Sequence, residues 1–115
     1  MITKGVDRCL FAFPPEDWAS FKANIKANAD LSAKGRQLSR MFFSMAFEAS
    51  LDRQGRVLIP TKLARYAGLS RDVTVAGVDD RLEIWDTDEW NHYVTGAEES
   101  FADIVEEFAG RDFGV

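Results

Sequence analysis

Residues 51–60 read Leu51-Asp52-Arg53-Gln54-Gly55-Arg56-Val57-Leu58-Ile59-Pro60. They hold a tight turn, residues 53–55, between two segments in which apolar and polar side chains alternate. Alternation is typical of half-buried strands, and the glycine supplies the positive φ that a tight turn needs. The pattern predicts a β-hairpin with strands over residues 47–52 and 56–59, ended by Pro60.

Outward from this hairpin, the same kind of pattern predicts the remaining elements. Further strands are expected over residues 1–6, 10–13, 73–78 and 82–85. Helices are expected over residues 15–29, from a cap at Asp30 or Ser32 to about residue 45, over 61–67 with Gly68 as the stop, from a cap at Asp86 or Thr87, and over 98–109, with residue 110 onward frayed. The sequence therefore predicts an α+β fold.

An internal repeat relates the two ends of the chain. Residues 5–18 read GVDRCLFAFPPEDW and residues 77–90 read GVDDRLEIWDTDEW, with five identities at a constant offset of 72. A fixed offset without gaps indicates a duplicated unit. Trp18 and Trp90 end the two copies, and we expect both to be largely buried core anchors.

The first copy lacks the hairpin that precedes the second. By the offset, the counterpart of Asp52 would lie about twenty residues before Met1. A truncation, a misplaced start and true divergence all fit this pattern. The expected organisation is an incomplete first unit with its helix (1–30), a linking helix (31–45), a complete second unit (46–95) and an acidic C-terminal helix and tail (96–115).

An incomplete first unit has a consequence for stability. The missing hairpin would leave a sheet edge unpaired and parts of Phe11, Phe13 and Trp18 bare. Residues 1–13 are therefore expected to be the least stable ordered region, or to pair between subunits. Residues 46–86 are expected to exchange their amide hydrogens slowly.

Charge is distributed unevenly along the chain. Its net charge is −5, yet residues 33–71 carry eight basic and two acidic residues, and residues 72–115 carry two basic and thirteen acidic ones. Between Arg53 and Arg71 there are five cations and no anion. Because local field decides where a polyanion binds, this segment can meet nucleic acid despite the acidic total. A polarised surface without a ligand is the alternative.

Few side chains suit catalysis or metal binding. Cys9 and His92 are the only cysteine and histidine, and each is more simply read as a packing residue. No phosphate-binding glycine loop is present, so we expect no enzyme activity, no metal, no cofactor and no small-molecule substrate. The sequence shows neither a membrane-span pattern nor a secretory signal, which favours the cytoplasm.

The D-x-x-G-R turn, the following Ile59-Pro60 and the short basic helix resemble the AbrB-like swapped-hairpin fold. With the duplication and the L-E-I-W-D segment, the chain resembles the MraZ family of bacterial transcriptional regulators, which act on the division and cell-wall gene cluster. The resemblance implies two AbrB-like swapped-hairpin β-barrel units in tandem, each with a D-x-x-x-R signature. Here the signature is Asp52, Gly55 and Arg56, and the first unit lacks its counterpart.

The residues themselves suit contact with double-stranded DNA. A hairpin tip can enter a groove as a β-ribbon does, and arginine carries a planar fork that fits phosphates and guanine edges. Cations on the next helix could meet phosphates. The candidate DNA-binding residues are Arg53, Gln54, Arg56, Lys62 and Arg65. An ordinary hairpin, with Asp52 and Arg56 in a structural ion pair, is the alternative.

Two functions of different classes follow from these observations. The first is a sequence-specific DNA-binding regulator, associated with the nucleoid and acting as a homo-oligomer because one hairpin supplies few contacts. The second is a protein-interaction or scaffold module of the same fold that has lost DNA binding. Binding that weakens steeply with salt would favour the first.

Overall fold

The structure, a computed structural model, describes residues 1–110 and combines helices with one antiparallel sheet. The strands are β1 (Ile2–Lys4), β2 (Leu10–Ala12), β3 (Val73–Val78) and β4 (Arg81–Asp86). The helices are α1 (Pro15–Asn28), α2 (Ala33–Phe43), α3 (Thr61–Tyr66), α4 (Thr87–Glu99) and α5 (Phe101–Glu107). The fold is thus mixed α+β, as the sequence predicts.

The sheet has the order β1-β2-β4-β3, so the strands of the two repeat copies lie in one sheet. At its centre β2 pairs antiparallel with β4, with Leu10 opposite Ile84, Phe11 opposite Glu83 and Ala12 opposite Leu82. Phe11 and Glu83 are 72 positions apart, the offset of the repeat. Phe11 and Glu83, one pair of matching positions, therefore face each other across the centre of the sheet.

Alternating side chains cover both faces of this sheet. One face holds the buried Ile2, Leu10 and Ile84, which pack against Leu63 and Ala67. The other face holds a second set of buried side chains, Cys9, Phe11, Phe13 and Trp85, against which Trp18, Phe21, Phe42 and Trp90 pack. Because strand side chains alternate between faces, a three-residue strand such as β2 contributes to both cores.

Local chemistry explains where the helices begin and end. The Ser32 hydroxyl accepts a hydrogen bond from the Gly35 amide at 3.1 Å, and the Asp86 carboxylate accepts one from Glu89. Gly68 follows α3 with a φ of 62°, the left-handed conformation that ends a helix. The cap at residue 32, the cap at residue 86 and the glycine stop are confirmed.

The predicted hairpin strands over residues 47–52 and 56–59 are wrong. Phe47 makes one isolated bridge to Ile2, and residues 48–60 belong to no strand. A strand needs a neighbour along its length, and beyond the bridge between Phe47 and Ile2 residues 1–110 supply none for these arms. Their inward side chains still pack on the core, whereas Leu51 and Leu58 are 69% and 86% exposed.

The predicted location of bare apolar surface is also wrong. Phe11 and Phe13 are 6% and 5% exposed, because α1 and α2 cover that face of the sheet. Trp18 and Trp90 are of intermediate burial, and both pack against the second core, as the repeat predicts. Their ring centroids lie 5.8 Å from Phe13 and 5.4 Å from Trp85, respectively.

The C-terminal helix is shorter than predicted and its apolar face is open. A break at Ser100 separates α4 from α5. The predicted apolar face is exposed along α5, where Phe101 is 65% exposed. The fraying predicted for the C-terminus falls on residues 111–115, which lie outside the described residues.

We predict that Trp18→Ala and Trp90→Ala each destabilise the fold by about 3 kcal/mol, because each ring packs on a core aromatic while keeping part of its surface in water. Denaturant unfolding would measure this. Phe101→Ala is the matched control, and as an exposed aromatic it should change the free energy of unfolding by less than about 0.5 kcal/mol. Equal effects of all three substitutions would contradict the assignment of the tryptophans to the core.

Hydrogen exchange should reverse the order expected from the sequence. Amides of residues 10–12 lie at the centre of the sheet and should exchange slowly. Amides of residues 48–51 and 57–59, which join no strand ladder, should exchange fast in a dilute subunit. Slow exchange of the arms in a monomer would show that they are paired within one chain.

Candidate nucleic-acid interface

The turn at residues 52–56 is held by the side chain of its first residue. The Asp52 carboxylate accepts hydrogen bonds from the backbone amides of Gln54 (2.9 Å) and Arg56 (2.8 Å). The Asp52 amide donates to the Arg56 carbonyl at 2.8 Å, which closes the turn. Gly55 has a φ of 76°, a conformation that residues with a β-carbon rarely adopt. The positive φ that the sequence predicts at this glycine is present.

The Arg56 side chain is held in place by hydrogen bonds and is not buried. The Arg56 Nε donates to the Asp52 Oδ2 at 3.0 Å, and its terminal nitrogen donates to the Gln54 side-chain oxygen. The Arg56 and Asp52 side chains remain 73% and 45% exposed. The structural ion pair considered as an alternative therefore exists, but exposed pairs of this kind contribute little stability. It fixes the direction of a guanidinium that stays accessible.

The Asp52 carboxyl is tuned to remain ionised. Hydrogen bonds donated by the Arg56 amide, and then by the Gln54 amide and the Arg56 side chain, hold the pKa of Asp52 below its usual value of 3.8. Bonds of this kind favour the charged form of a carboxyl group. The turn is therefore in its bonded form at neutral pH.

Helix α3 presents the other two predicted cations. Its apolar side packs Leu63 into the core, and the exposed Lys62 and Arg65 stand outside it. Both line one surface groove. Within residues 1–110, the side chains that line this groove do not include those of the hairpin tip. The predicted set is thus divided between the tip and this groove.

The sequence reasoning missed two cations of that groove. Lys4 from β1 and Arg8 from the following turn also line it. They lie more than fifty positions from α3 along the chain, so no local motif joins them to it. Only the pairing of the two repeat copies in one sheet brings them together.

Other reactive groups are inert or scattered. Burial, followed by the charges of Glu83 and Asp7, raises the pKa of the Cys9 thiol to about 12, and the thiol donates to the Val6 carbonyl. Within residues 1–110, acidic, histidine and cysteine side chains form no group able to hold a metal ion. Over the same range, no helix combines the length and apolarity needed to cross a bilayer.

A family model described as "MraZ protein, putative antitoxin-like" matches residues 42–112. The chain belongs to the MraZ family. The match covers more than half of the chain, including the Asp52–Arg56 turn, α3 and both strands of the second repeat copy. MraZ is a regulator-type family rather than an enzyme family, and the resemblance seen in the sequence is confirmed at this level.

Acid should loosen the turn. Because the folded pKa of Asp52 is lowered, its contribution is complete above the unfolded value of 3.8 and is lost as pH falls through the folded value. Amide chemical shifts of Gln54 and Arg56, followed by NMR, should titrate with that lowered pKa. Asp52→Asn should abolish this titration, and its persistence in the variant would assign it to another carboxyl.

Proposed function

We propose that this MraZ-family protein is a sequence-specific DNA-binding transcriptional regulator, with the turn at residues 52–56 as its reading element. The observation that carries the proposal is an outward-facing turn whose three polar side chains, Arg53, Gln54 and Arg56, are all exposed while the backbone is fixed by Asp52. A fixed frame with exposed donors is what base readout in a groove requires.

The charges around the turn support a polyanionic partner. Five cations lie between Arg53 and Arg71, and the same span contains no acidic residue. Among residues 1–110, only one of the three ion pairs involves this span, that of Arg56 with Asp52. Most of its positive charge is therefore available to phosphates, while the acidic residues are concentrated beyond residue 72.

A division of roles between the two cationic elements follows from their positions. The tip is narrow and carries both an amide and guanidinium groups, which can bond base edges in the major groove. Helix α3 carries Lys62 and Arg65 on a surface outside the tip, where they would contact the DNA backbone. In this arrangement the tip confers specificity and α3 adds affinity.

Exposed apolar side chains and an unpaired strand edge support the proposal that several subunits bind together. The outer strand β3 has one unpaired edge among the described residues, and Val73 and Val75 are 49% and 57% exposed. Leu51 and Leu58 of the turn's arms are exposed as well. A second copy of the chain could cover both, and an assembly with several tips would bind repeated sites through effective concentration.

The proposal also covers the genes that the protein regulates and its location in the cell. The family resemblance supports action on the bacterial division and cell-wall gene cluster, and hence a position at the nucleoid in the cytoplasm. A regulator of this kind needs no cofactor or small-molecule substrate. Its partners are double-stranded DNA and further copies of itself.

A protein-interaction module is the second candidate, and one observation favours it. Helix α5 exposes an apolar face together with acidic residues, and Phe101, Ile104 and Val105 are 65%, 41% and 40% exposed. An exposed contiguous apolar face is a common feature of protein-binding surfaces. In that case the α5 face, and not the turn, would be the functional surface.

Substitution of the reading arginine tests the first candidate. Arg56→Ala should weaken binding to a duplex taken from the promoter region of the division and cell-wall gene cluster by roughly 1–3 kcal/mol per lost bidentate contact. Fluorescence anisotropy with a labelled duplex would measure the loss. The melting temperature should hardly change, because the lost ion pair is exposed.

Arg71→Ala is the matched control, since it removes an exposed arginine of the same basic span from outside the turn. It should weaken binding less than Arg56→Ala and should not relax sequence preference. If Arg56→Ala left both affinity and sequence preference unaltered, the turn would not be the reading element. The protein-interaction module would be favoured if the unaltered chain did not bind DNA and if substitutions on the α5 face abolished binding to a protein partner.

A further inference from the structure

A second basic site lies at the junction of the two repeat copies. A groove of about 470 Å³ is lined by Lys4, Arg8, Met45, Lys62, Arg65 and Tyr66. Four of its six lining residues are cations and none is acidic. Two cations come from the first predicted unit (residues 1–30) and two from α3 of the second (residues 46–95), so the site exists only when both units pack together.

Contacts across the groove fix its two walls relative to each other. The Tyr66 hydroxyl donates to the Gly5 carbonyl at 2.6 Å, which ties the end of α3 to the turn that follows β1. The Lys4 ammonium lies 5.2 Å from the centre of the Tyr66 ring and 3.8 Å from the Met41 sulfur. The lysine is thereby held against neutral groups, which leave its charge uncompensated.

None of the four cations forms an ion pair within residues 1–110. The three ion pairs of this part of the chain involve only Arg56 and Arg81 as cations. Like charges around one groove repel each other, and an entering anion would relieve that repulsion. Arg8 also lines a neighbouring groove with Asp7, Asp86 and Glu89, so Lys4, Lys62 and Arg65 are the cations of the site without carboxylates in the same groove.

A second groove with basic residues, between α1 and α2, differs in this respect. It is lined by Lys22, Lys26, Arg36 and Arg40 but also by Asp30. Ser32 donates hydrogen bonds to that carboxylate and holds the pKa of Asp30 below its usual value. A fixed anion thus offsets part of the charge there, and the groove at the repeat junction is the stronger anion site.

We infer that the groove formed by Lys4, Arg8, Lys62 and Arg65 binds backbone phosphates of duplex DNA, and that the first repeat copy thereby takes part in DNA binding. This inference rests on the proposed function and extends it to Lys4 and Arg8. The groove is open to solvent, and one of its walls is α3, the short helix that follows the reading turn. A continuous phosphate backbone can therefore reach it, whereas a small anion would remain largely in water.

A salt series tests the inference, because each phosphate contact contributes about 0.9 to the slope of log affinity against log salt. The probe is a mixed-sequence labelled duplex, since phosphate contacts do not depend on base sequence. Lys4→Gln and Arg8→Gln should each reduce the slope by about 0.9, and the double variant by about 1.8. Lys34→Gln is the matched control, since it removes an exposed cation outside both the groove and the basic span of residues 53–71, and it should leave the slope unchanged.

Three results would overturn the inference, and they can be told apart. If the unaltered chain binds DNA but both groove variants keep its slope, the groove does not contact phosphates and the proposed function stands. If inorganic phosphate stabilises the chain through Lys4 and Arg8 while the DNA slope is unchanged, the site serves a small anion. If the unaltered chain shows no salt-dependent DNA binding, the proposed function fails as well. Circular dichroism would show whether each variant is folded. If Lys4→Gln unfolds the chain, the slope of Arg8→Gln alone tests the inference, because Arg8 is at an exposed position.

Discussion

The pairing of β2 with β4 is the constraint on which the rest of the structure depends. It joins the two repeat copies at matching residues, Phe11 opposite Glu83, and divides the core into two faces. Arg81 lies 4.5 Å from the Phe11 ring and is bonded to Glu83, so the side chains at this junction also contact each other. Separation of the two strands would expose both cores and would remove the frame that carries α3.

Both candidate surfaces follow from that frame. Helix α3 is anchored by the fully buried Leu63, and this places Lys62 and Arg65 opposite Lys4 and Arg8. The turn at residues 52–56 is held differently, because its own carboxylate bonds its backbone while its arms lack strand neighbours in residues 1–110. The chain thus combines a fixed basic groove with a locally rigid turn on loosely held arms. In the proposed assembly, further copies would give those arms the backbone partners that residues 1–110 do not provide.

Much of the fold could be predicted from local sequence. Helix caps at Ser32 and Asp86 and the stop at Gly68 depend on the chemistry of single residues, and the structure has them. The hairpin strands failed because alternation reports which side chains are buried, and it does not show whether a neighbouring strand is present to complete the ladder. The burial of Phe13 was missed for a related reason, since it depends on how α1 and α2 pack on the sheet. For the site, the turn was evident from Asp52 and Gly55, whereas Lys4 and Arg8 join α3 only through long-range strand pairing.

The central claim is that DNA meets this protein at the turn and at the groove beside α3. The most direct measurement is the change in backbone amide chemical shifts of ¹⁵N-labelled protein when a duplex is added. We expect the largest changes at Arg53, Gln54 and Arg56 and a second group at Lys4, Arg8 and α3. High salt should reverse both sets of changes. Changes confined to α4 and α5, or no change at low salt, would contradict the central claim.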